Sequence, residues 1–369
     1  MQFTIEREKL AEAVKVASRI ADSQARVLGT NGIVITAADS GQLTLRSTNL
    51  MVQTTVQATA DVTVAGSAVI PALTAAELVQ RLPGETVAVE VTEKGLLVKS
   101  GRSRSTLHLI QDDPPVLDQP ADDAPVSWTT DGATWVDMAR RHLDMAATDD
   151  TRPVLKGVLF KFSDQSLSVV TTDGTRLAHS RYRLPEPVAE PQSFIIPASA
   201  IREAAHYRGA ATIQFGPKVA VWTFGETTMV TRYVDGQYPP FERVIPTEYG
   251  TTVQVPTEVM RGAIGRMQIL SSKARTPMIT LSVSHEALTI EAQTAEVGSG
   301  VEEIEAHVTG DAIRMSFNPR FLVDALKPIQ NELLNIQFSA VQSPARISDA
   351  ANPSYEVIVL PLREIAAVA

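Results

Sequence analysis

The chain has 369 residues, of which 44% are hydrophobic and 20% charged, and it carries a net charge of −9. That length exceeds one ordinary core, and the composition describes a folded protein rather than a disordered one. The absence of cysteine excludes disulfides, thiolate metal sites and a cysteine nucleophile, while the acidic total argues against indiscriminate binding of polyanions.

The opening residues, Met1-Gln2-Phe3-Thr4-Ile5, lack the basic start and apolar stretch of a signal peptide, and no apolar run reaches the roughly 18 residues of a membrane span. The expected location is cytoplasmic. Phe3-Thr4-Ile5 reads as a strand leading into a helix over 6–20, where Leu10, Ala13, Val14 and Ala17 recur at the spacing of one helical face. A second helix over 74–82 carries Leu78, Val79 and Leu82, with Thr74 and Glu77 spaced as a capping box. Alternating strands over 86–91 and 95–99 follow, and the acidic, Pro-rich stretch 112–125 reads as a linker.

Trp128-Thr129-Thr130 then opens a helix over 133–146, and a shorter helix over 198–208 precedes strands over 212–215, 220–224 and 228–234. After a second linker over 244–250, Val253-Gln254-Val255 leads into a helix over 257–270 with Met260, Ala263, Ile264 and Met267 on one face. Strands over 281–283 and 288–291, a helix over 319–328 and a last strand over 355–360 complete the order.

These elements repeat. Leu43-Thr44-Leu45-Arg46-Ser47-Thr48-Asn49 recurs at an offset of 124 as Leu167-Ser168-Val169-Val170-Thr171-Thr172-Asp173, and more weakly at Leu288. Ile70-Pro71-Ala72 recurs at an offset of 126 as Ile196-Pro197-Ala198, and loosely as Phe317-Asn318-Pro319. Such a period is the length of a domain, not of a solenoid unit. The expected fold class is α+β, with three similar domains over 1–120, 121–246 and 247–369, each built from two β-α-β-β-β units. Each helix has one narrow apolar stripe and buries it on a sheet. With two helices on one sheet face per domain, three domains end to end make a curved wall whose helices line a groove or a hole. The six helical segments sum to a charge of +4 against −13 for the rest.

Catalytic motifs are missing. The histidines at 108, 142, 179, 206, 285 and 307 are scattered without metal-ligand spacing, and there is no G-x-S-x-G, no P-loop and no dinucleotide fingerprint. Asp112-Asp113 and Asp149-Asp150 are adjacent carboxylates that suit either solvated turns or Mg²⁺ beside a phosphate. Asp173-Gly174 is a hairpin-turn signal. Near it in the expected fold, Leu155, Leu177, Val244 and the apolar tail 357–362 supply a groove of the kind that takes short linear peptides.

Several stretches together resemble one family. They are Phe3-Thr4-Ile5-Glu6-Arg7-Glu8, Ser100-Gly101-Arg102-Ser103-Arg104, Thr151-Arg152-Pro153-Val154-Leu155, Thr172-Asp173-Gly174-Thr175-Arg176-Leu177, Val234-Asp235-Gly236-Gln237-Tyr238-Pro239 with Arg243-Val244, Phe317-Asn318, and Leu360-Pro361-Leu362-Arg363. In this order they resemble the bacterial DNA sliding clamps, the beta subunits of DNA polymerase III, over essentially the whole chain. The resemblance implies a head-to-tail homodimer closing a ring around duplex DNA. It also implies sequence-independent contacts, partners among the replicative polymerase, clamp loader and repair proteins that bind through short motifs, and no cofactor, catalytic residue, metal site or membrane.

The resemblance places a peptide cleft between the second and third domains. Its members here would be Leu155, Thr172, Gly174, Thr175, Arg176, Leu177, Pro239, Arg243, Val244, Asn318, Phe321, Val359, Leu360, Pro361, Leu362 and Arg363, with Arg176, Asn318 and the tail backbone hydrogen-bonding the peptide. The dimer contact would set Leu78, Leu82, Arg102 and Arg104 against Ile269, Leu270, Glu302, Glu303 and Glu305 of a second copy. DNA would meet Arg26, Arg152, Arg202 and Arg266. The chain departs from the family pattern at Thr175, where relatives often carry histidine, at Ser105, where they can place an aromatic ring, and in the tail beyond Arg363. Two rival readings remain at this level: a monomeric β-rich peptide-binding module, and a phosphoryl hydrolase using Asp149, Asp150 and Asp173.

Overall fold

The computed structural model describes residues 1–21, 27, 29–117, 124–294 and 296–362. The first repeat runs β1 (Gln2–Glu6), α1 (Arg7–Ser18), β2 (Gly32–Ala37), β3 (Gln42–Thr48), β4 (Val52–Thr59), β5 (Asp61–Val64), β6 (Gly66–Pro71), α2 (Ala72–Gln80), β7 (Thr86–Thr92), β8 (Gly95–Ser100) and β9 (Ser103–Leu107). The second runs β10 (Val126–Thr130), α3 (Gly132–His142), β11 (Gly157–Ser163), β12 (Ser166–Thr172), β13 (Arg176–Arg183), β14 (Gln192–Pro197), α4 (Ala198–Ala204), β15 (Ala211–Phe215), β16 (Val219–Phe224) and β17 (Thr227–Arg232). The third runs β18 (Thr251–Pro256), α5 (Thr257–Ser271), β19 (Ile279–Val283), β20 (Ala287–Thr294), β21 (Gly298–Glu305), β22 (His307–Gly310), β23 (Ile313–Phe317), α6 (Pro319–Leu326), β24 (Leu333–Phe338), β25 (Ala345–Asp349) and β26 (Tyr355–Val359). Each repeat is β-α-β-β-β twice over, with β5 and β22 as additions in the first and third.

The strands of each repeat are divided between two sheets, to both of which each half contributes, which corrects the expectation of a single sheet face per domain. The four sheets run β5-β1-β7-β8-β9, then β10-β15-β16-β17-β4-β3-β2-β6, then β14-β11-β12-β13-β26-β25-β24-β18-β22, then β21-β20-β19-β23. The two long sheets are therefore fusions. The last strand of a first half-repeat pairs antiparallel with the last strand of the following repeat: β4 with β17, Val56 facing Thr227, and β13 with β26, Leu177 facing Ile358. The matching strands β21 and β9 end their sheets without such a partner.

The chain packs as two compact units, Met1–Trp135 with Ser199–Tyr233 and Val136–Ala198 with Val234–Ala369. In the first, the stripe Leu10, Ala13, Val14 and Ala17 of α1 is buried with Phe3, Ile5, Ile33, Ile35, Leu43, Leu45 and Val87, as the helical and period-two patterns require. In the second, Met260, Ala263, Ile264 and Met267 of α5 and Leu322, Ala325 and Leu326 of α6 meet Val253, Leu281, Leu288, Ile336 and Val357. Each buried Val, Leu, Ile, Phe or Met among them contributes about 1.5–3 kcal/mol, and the alanines less.

Two expectations fail around α2. The helix begins at Ala72, directly after Pro71, and has no side-chain cap, so Thr74 sits inside the first turn instead of capping it with Glu77. Proline holds the φ of −60° that leads into the helix. The helix also ends at Gln80, and the chain then turns Leu82 into the core at 5% exposure.

Candidate functional site

The site grows from the β12–β13 hairpin of the second unit. Asp173 Oδ1 accepts from the Thr175 and Arg176 N–H groups at 2.9 and 3.1 Å and from Thr175 Oγ1 at 2.6 Å. Thr172 Oγ1 donates to the Arg176 carbonyl at 2.6 Å and accepts from the Gly174 N–H at 3.0 Å. Gly174 has φ +92°, and a Cβ there would lie 2.7 Å from an Arg152 nitrogen. Glycine is therefore demanded by both backbone and space. The strand β26 docks alongside and delivers Leu360, whose N–H donates to the Thr175 carbonyl at 3.0 Å.

These elements enclose a cavity of about 160 Å³ lined by Arg152, Leu155, Thr172, Gly174, Thr175, Arg176, Leu177, Pro239, Pro240, Phe241, Val244, Ile358 and Leu360. Leu155, Leu177, Phe241 and Ile358 form a buried apolar floor with Val170 and Tyr238, while Val244 and Leu360 stand exposed at the rim. The Tyr238 hydroxyl accepts from the Thr172 N–H at 3.1 Å, and burial pushes its phenol pKa up. An apolar floor with a few fixed polar groups at its edge is the chemistry of a groove for apolar side chains of a short chain.

Arg176 is not free to serve a ligand in the way expected. It is 6% exposed, and its Nε, Nη1 and Nη2 donate to Asp173 Oδ2, Asp324 Oδ2 and the Asp144 carbonyl at 3.0, 2.7 and 2.5 Å. Its guanidinium also lies 4.6 Å from the Phe321 ring centroid. Asn318 caps α6 through its side-chain oxygen, which accepts from the Arg320 N–H at 3.0 Å. The Arg176 donors are committed to the fold, whereas the Asn318 cap does not use its amide N–H groups.

Of the expected cleft members, Leu155, Thr172, Gly174, Thr175, Arg176, Leu177, Pro239, Val244 and Leu360 line the cavity. Phe321 reaches it only through Arg176. Val359 points the other way, fully buried in the α5–α6 core. Pro361 and Leu362 line a separate small pocket with Ser316, to which the Leu362 N–H donates at 2.7 Å. Arg243 is exposed and off the cavity wall. Arg363 lies outside the described residues, as do Arg26 and the tail 364–369. Sequence reasoning missed Pro240 and Phe241, named Ile358 only within the apolar tail 357–362, and set Arg152 on a DNA face. Arg152 instead donates to the Asp173 carbonyl at 2.8 Å and forms a cavity wall.

The residues expected at a dimer contact lie at two sheet ends. Arg102 and Arg104 are exposed on the β8–β9 hairpin, and Leu78 is half-buried on α2. Glu303 and Glu305 are exposed on β21, and Ile269 is 68% exposed. Leu270 instead packs on the α5 core. Glu302 takes Arg266 in a bidentate pair at 2.7 and 2.6 Å, so one expected DNA contact and one expected dimer contact occupy each other. Arg202 is exposed on α4.

The carboxylates proposed for hydrolysis have other work. Asp149 caps its own turn by accepting from the Thr151 N–H at 3.0 Å, Asp150 pairs with Lys156, and Asp173 holds the hairpin. Among the described residues no group of three or more His, Asp or Glu side chains converges to hold a metal.

Comparison with known proteins covers the chain end to end. Residues 1–118, 140–240 and 242–363 match the models of the N-terminal, central and C-terminal domains of the DNA polymerase III beta subunit. The beta sliding clamp of Pseudomonas aeruginosa is 29% identical across 98% of this chain and all of its own length. The crystal structure of the Bacillus subtilis sliding clamp superposes with a TM-score of 0.93 at 24% identity, covering 98% of this chain and 99% of that one. The Pseudomonas aeruginosa clamp bound to griselimycin superposes with a TM-score of 0.91 at 28% identity, with the same coverage.

Proposed function

The chain belongs to the DNA polymerase III beta subunit family, and on that premise we propose how it works as a DNA sliding clamp. It forms a homodimeric ring around duplex DNA, gives the replicative polymerase its processivity and recruits partner proteins through the cleft on the β12–β13 hairpin. The observation that carries this reading is the match of three domain models in succession, in order and over nearly the whole chain. The domains are assigned to 1–120, 121–246 and 247–369.

Sheet topology supports the second copy. Within the chain, last strands join at β4–β17 and at β13–β26, and the same rule applied to β21 calls for a β9, which a second copy would offer. Exposed Arg102 and Arg104 on one end and Glu303 and Glu305 on the other make that junction electrostatically complementary. The contact is head to tail, and salt weakens it. A chain that is strictly monomeric at low salt would overturn it.

DNA is held weakly by design. Most helix cations already carry a carboxylate: Lys9 with Glu6, Lys15 with Glu12, Arg19 with Glu203, Arg141 with Asp137, Arg261 with Glu258, Arg266 with Glu302 and Lys327 with Asp324. Paired charges give a shallow, screened attraction to phosphate, which suits a ring that must slide. Arg202 has no ion-pair partner among the described residues and is the first choice for a direct phosphate contact. The protein has no catalytic role of its own in this reading, and it acts in the cytoplasm.

The decisive experiment loads the protein onto nicked circular DNA with a clamp loader and then linearises the DNA. Retention on the circle and loss from the linear form are expected. Equal loss from both would overturn the ring. For the cleft, titration calorimetry with griselimycin should give saturable binding that Leu155→Arg abolishes.

A further inference from the structure

Arg176 places a buried cation in the wall of an apolar cleft, and its hydrogen-bond acceptors, two carboxylates and a carbonyl, come from three different segments. Asp173 belongs to the hairpin turn, the Asp144 carbonyl to the single helical turn Leu143–Met145 after α3, and Asp324 to α6. Asp324 is 5% exposed and does not itself line the cavity, yet its Oδ2 holds the wall residue Arg176 through Nη1 at 2.7 Å. Its other oxygen takes Lys327 at 2.7 Å, and Lys327 reaches on to Asp144 Oδ2 at 2.9 Å.

We propose that Asp324 is a positioning residue for the peptide cleft, acting through Arg176. The inference rests on the reading of this cavity as the cleft. A buried guanidinium that loses a carboxylate must find another partner or water. Asp173 and the Asp144 carbonyl already hold Nε and Nη2, so the freed Nη1 must swing toward water, and the open space that Arg176 lines is the cavity. A charged, hydrated group there occupies the volume an apolar ligand side chain would take. Asp324 thus keeps the charge of Arg176 turned away from the ligand and leaves its apolar stem and the Phe321-stacked face as the wall.

The test is a double-mutant cycle on the full-length protein, with griselimycin affinity read by calorimetry. Asp324→Asn should weaken binding about tenfold or more, the scale of one lost charge-assisted hydrogen bond. In an Arg176→Met background the same Asp324→Asn change should leave affinity unaltered, because the residue it acts through is gone. A merely structural Asp324 would weaken binding in both backgrounds, and that outcome, or wild-type affinity in Asp324→Asn, overturns the proposal. Should Asp324→Asn fail to fold, Arg176→Met/Asp324→Leu removes both buried charges together and must bind like Arg176→Met alone; any difference overturns the proposal. If the wild-type protein does not bind griselimycin while remaining on circular DNA, the cleft reading itself falls, and this inference with it.

Discussion

In the turn over 48–52 the Asn49 side-chain oxygen accepts from the Met51 and Val52 N–H groups at 3.1 and 2.8 Å, as Asp173 does from Thr175 and Arg176 in the turn over 172–176. Thr48 Oγ1 donates to the Val52 carbonyl at 3.0 Å and accepts from the Leu50 N–H at 3.0 Å, repeating the bonds of Thr172. Leu50 and Gly174 share a positive φ, at +73° and +92°. The Arg232 N–H donates to the Met51 carbonyl just as that of Leu360 does to Thr175. Only the filling differs. Beside the first turn the chain's own Leu117, 2% exposed, packs against Val219, Val221 and Val230, and its N–H donates to Gln53 Oε1 at 3.0 Å. Beside the second, Pro239, Pro240 and Phe241 skirt the turn and leave a cavity. The hydrogen-bonded frame belongs to the repeat, and ligand capacity belongs to the segment that follows each repeat.

The largest effect that would sharpen this contrast comes from removing the acceptor. Asp173→Ala strips two backbone donors of their partner and Arg176 of one counter-charge, so stability should fall by about 2–4 kcal/mol and griselimycin binding should be lost. Asn49→Ala removes a neutral acceptor beside a filled groove, and should cost about 1 kcal/mol with unchanged ligand affinity. Denaturant titration and calorimetry on both variants check this. Equal losses of binding would mean that the two turns are not separate in function.

How much of this was legible follows the same division. The turn chemistry of Thr172-Asp173-Gly174 is written in residue types, whereas the nine cavity residues were brought together by the family resemblance, since Leu155, Pro239, Val244 and Leu360 lie far from the turn in sequence. Period-two alternation over 355–360 already sets Ile358 and Leu360 on one face and Val359 on the other; naming Val359 in place of Ile358 ignored that alternation. Leu82 was read by helical spacing past a helix end that Pro83 and Gly84, just beyond it, already announce. The occupation of Arg176 by Asp324, 148 residues away, has no signature in either segment, because long-range pairing depends on the sheet join at β13–β26.

A middle-sized effect concerns pH. His142 is fully buried, its ring nitrogens 2.5 and 2.9 Å from the hydroxyls of Thr171 and Ser180. Burial, then the charge of Arg141, lowers its pKa to about 3. At the equivalent place in the first copy, Ser47 donates to the Ala17 carbonyl, which does not titrate. The folded pKa lies below the usual 6.5, so the unfolded chain binds the extra proton between these values. Stability from His142 is therefore complete above pH 6.5 and falls by about 1.4 kcal/mol per pH unit as the pH drops toward 3. Hydrogen exchange, corrected for intrinsic rates, should show β12 and β13 losing protection between pH 6.5 and 5 while β3 and β4 hold theirs, and His142→Gln should remove the difference. Equal loss in both copies would break the contrast.

The smallest effect tests whether the shared frame tolerates the same residue at its left-handed position. Leu50 already bears the penalty of a side chain at φ +73°, so Leu50→Gly relieves strain while adding freedom to the unfolded chain. The two should nearly cancel, leaving stability within about 0.5 kcal/mol of wild type. Gly174→Ala has no such compensation: its Cβ meets the Arg152 guanidinium at 2.7 Å, and the φ of +92° suits no L side chain well. A loss of about 1 kcal/mol is expected, with griselimycin affinity reduced because Arg152, a cavity wall, is what must move. A Gly174→Ala protein that loses stability yet keeps full affinity would show that Arg152 can leave the wall without cost to the ligand. The opening would then be set by Leu155, Phe241 and Ile358 alone.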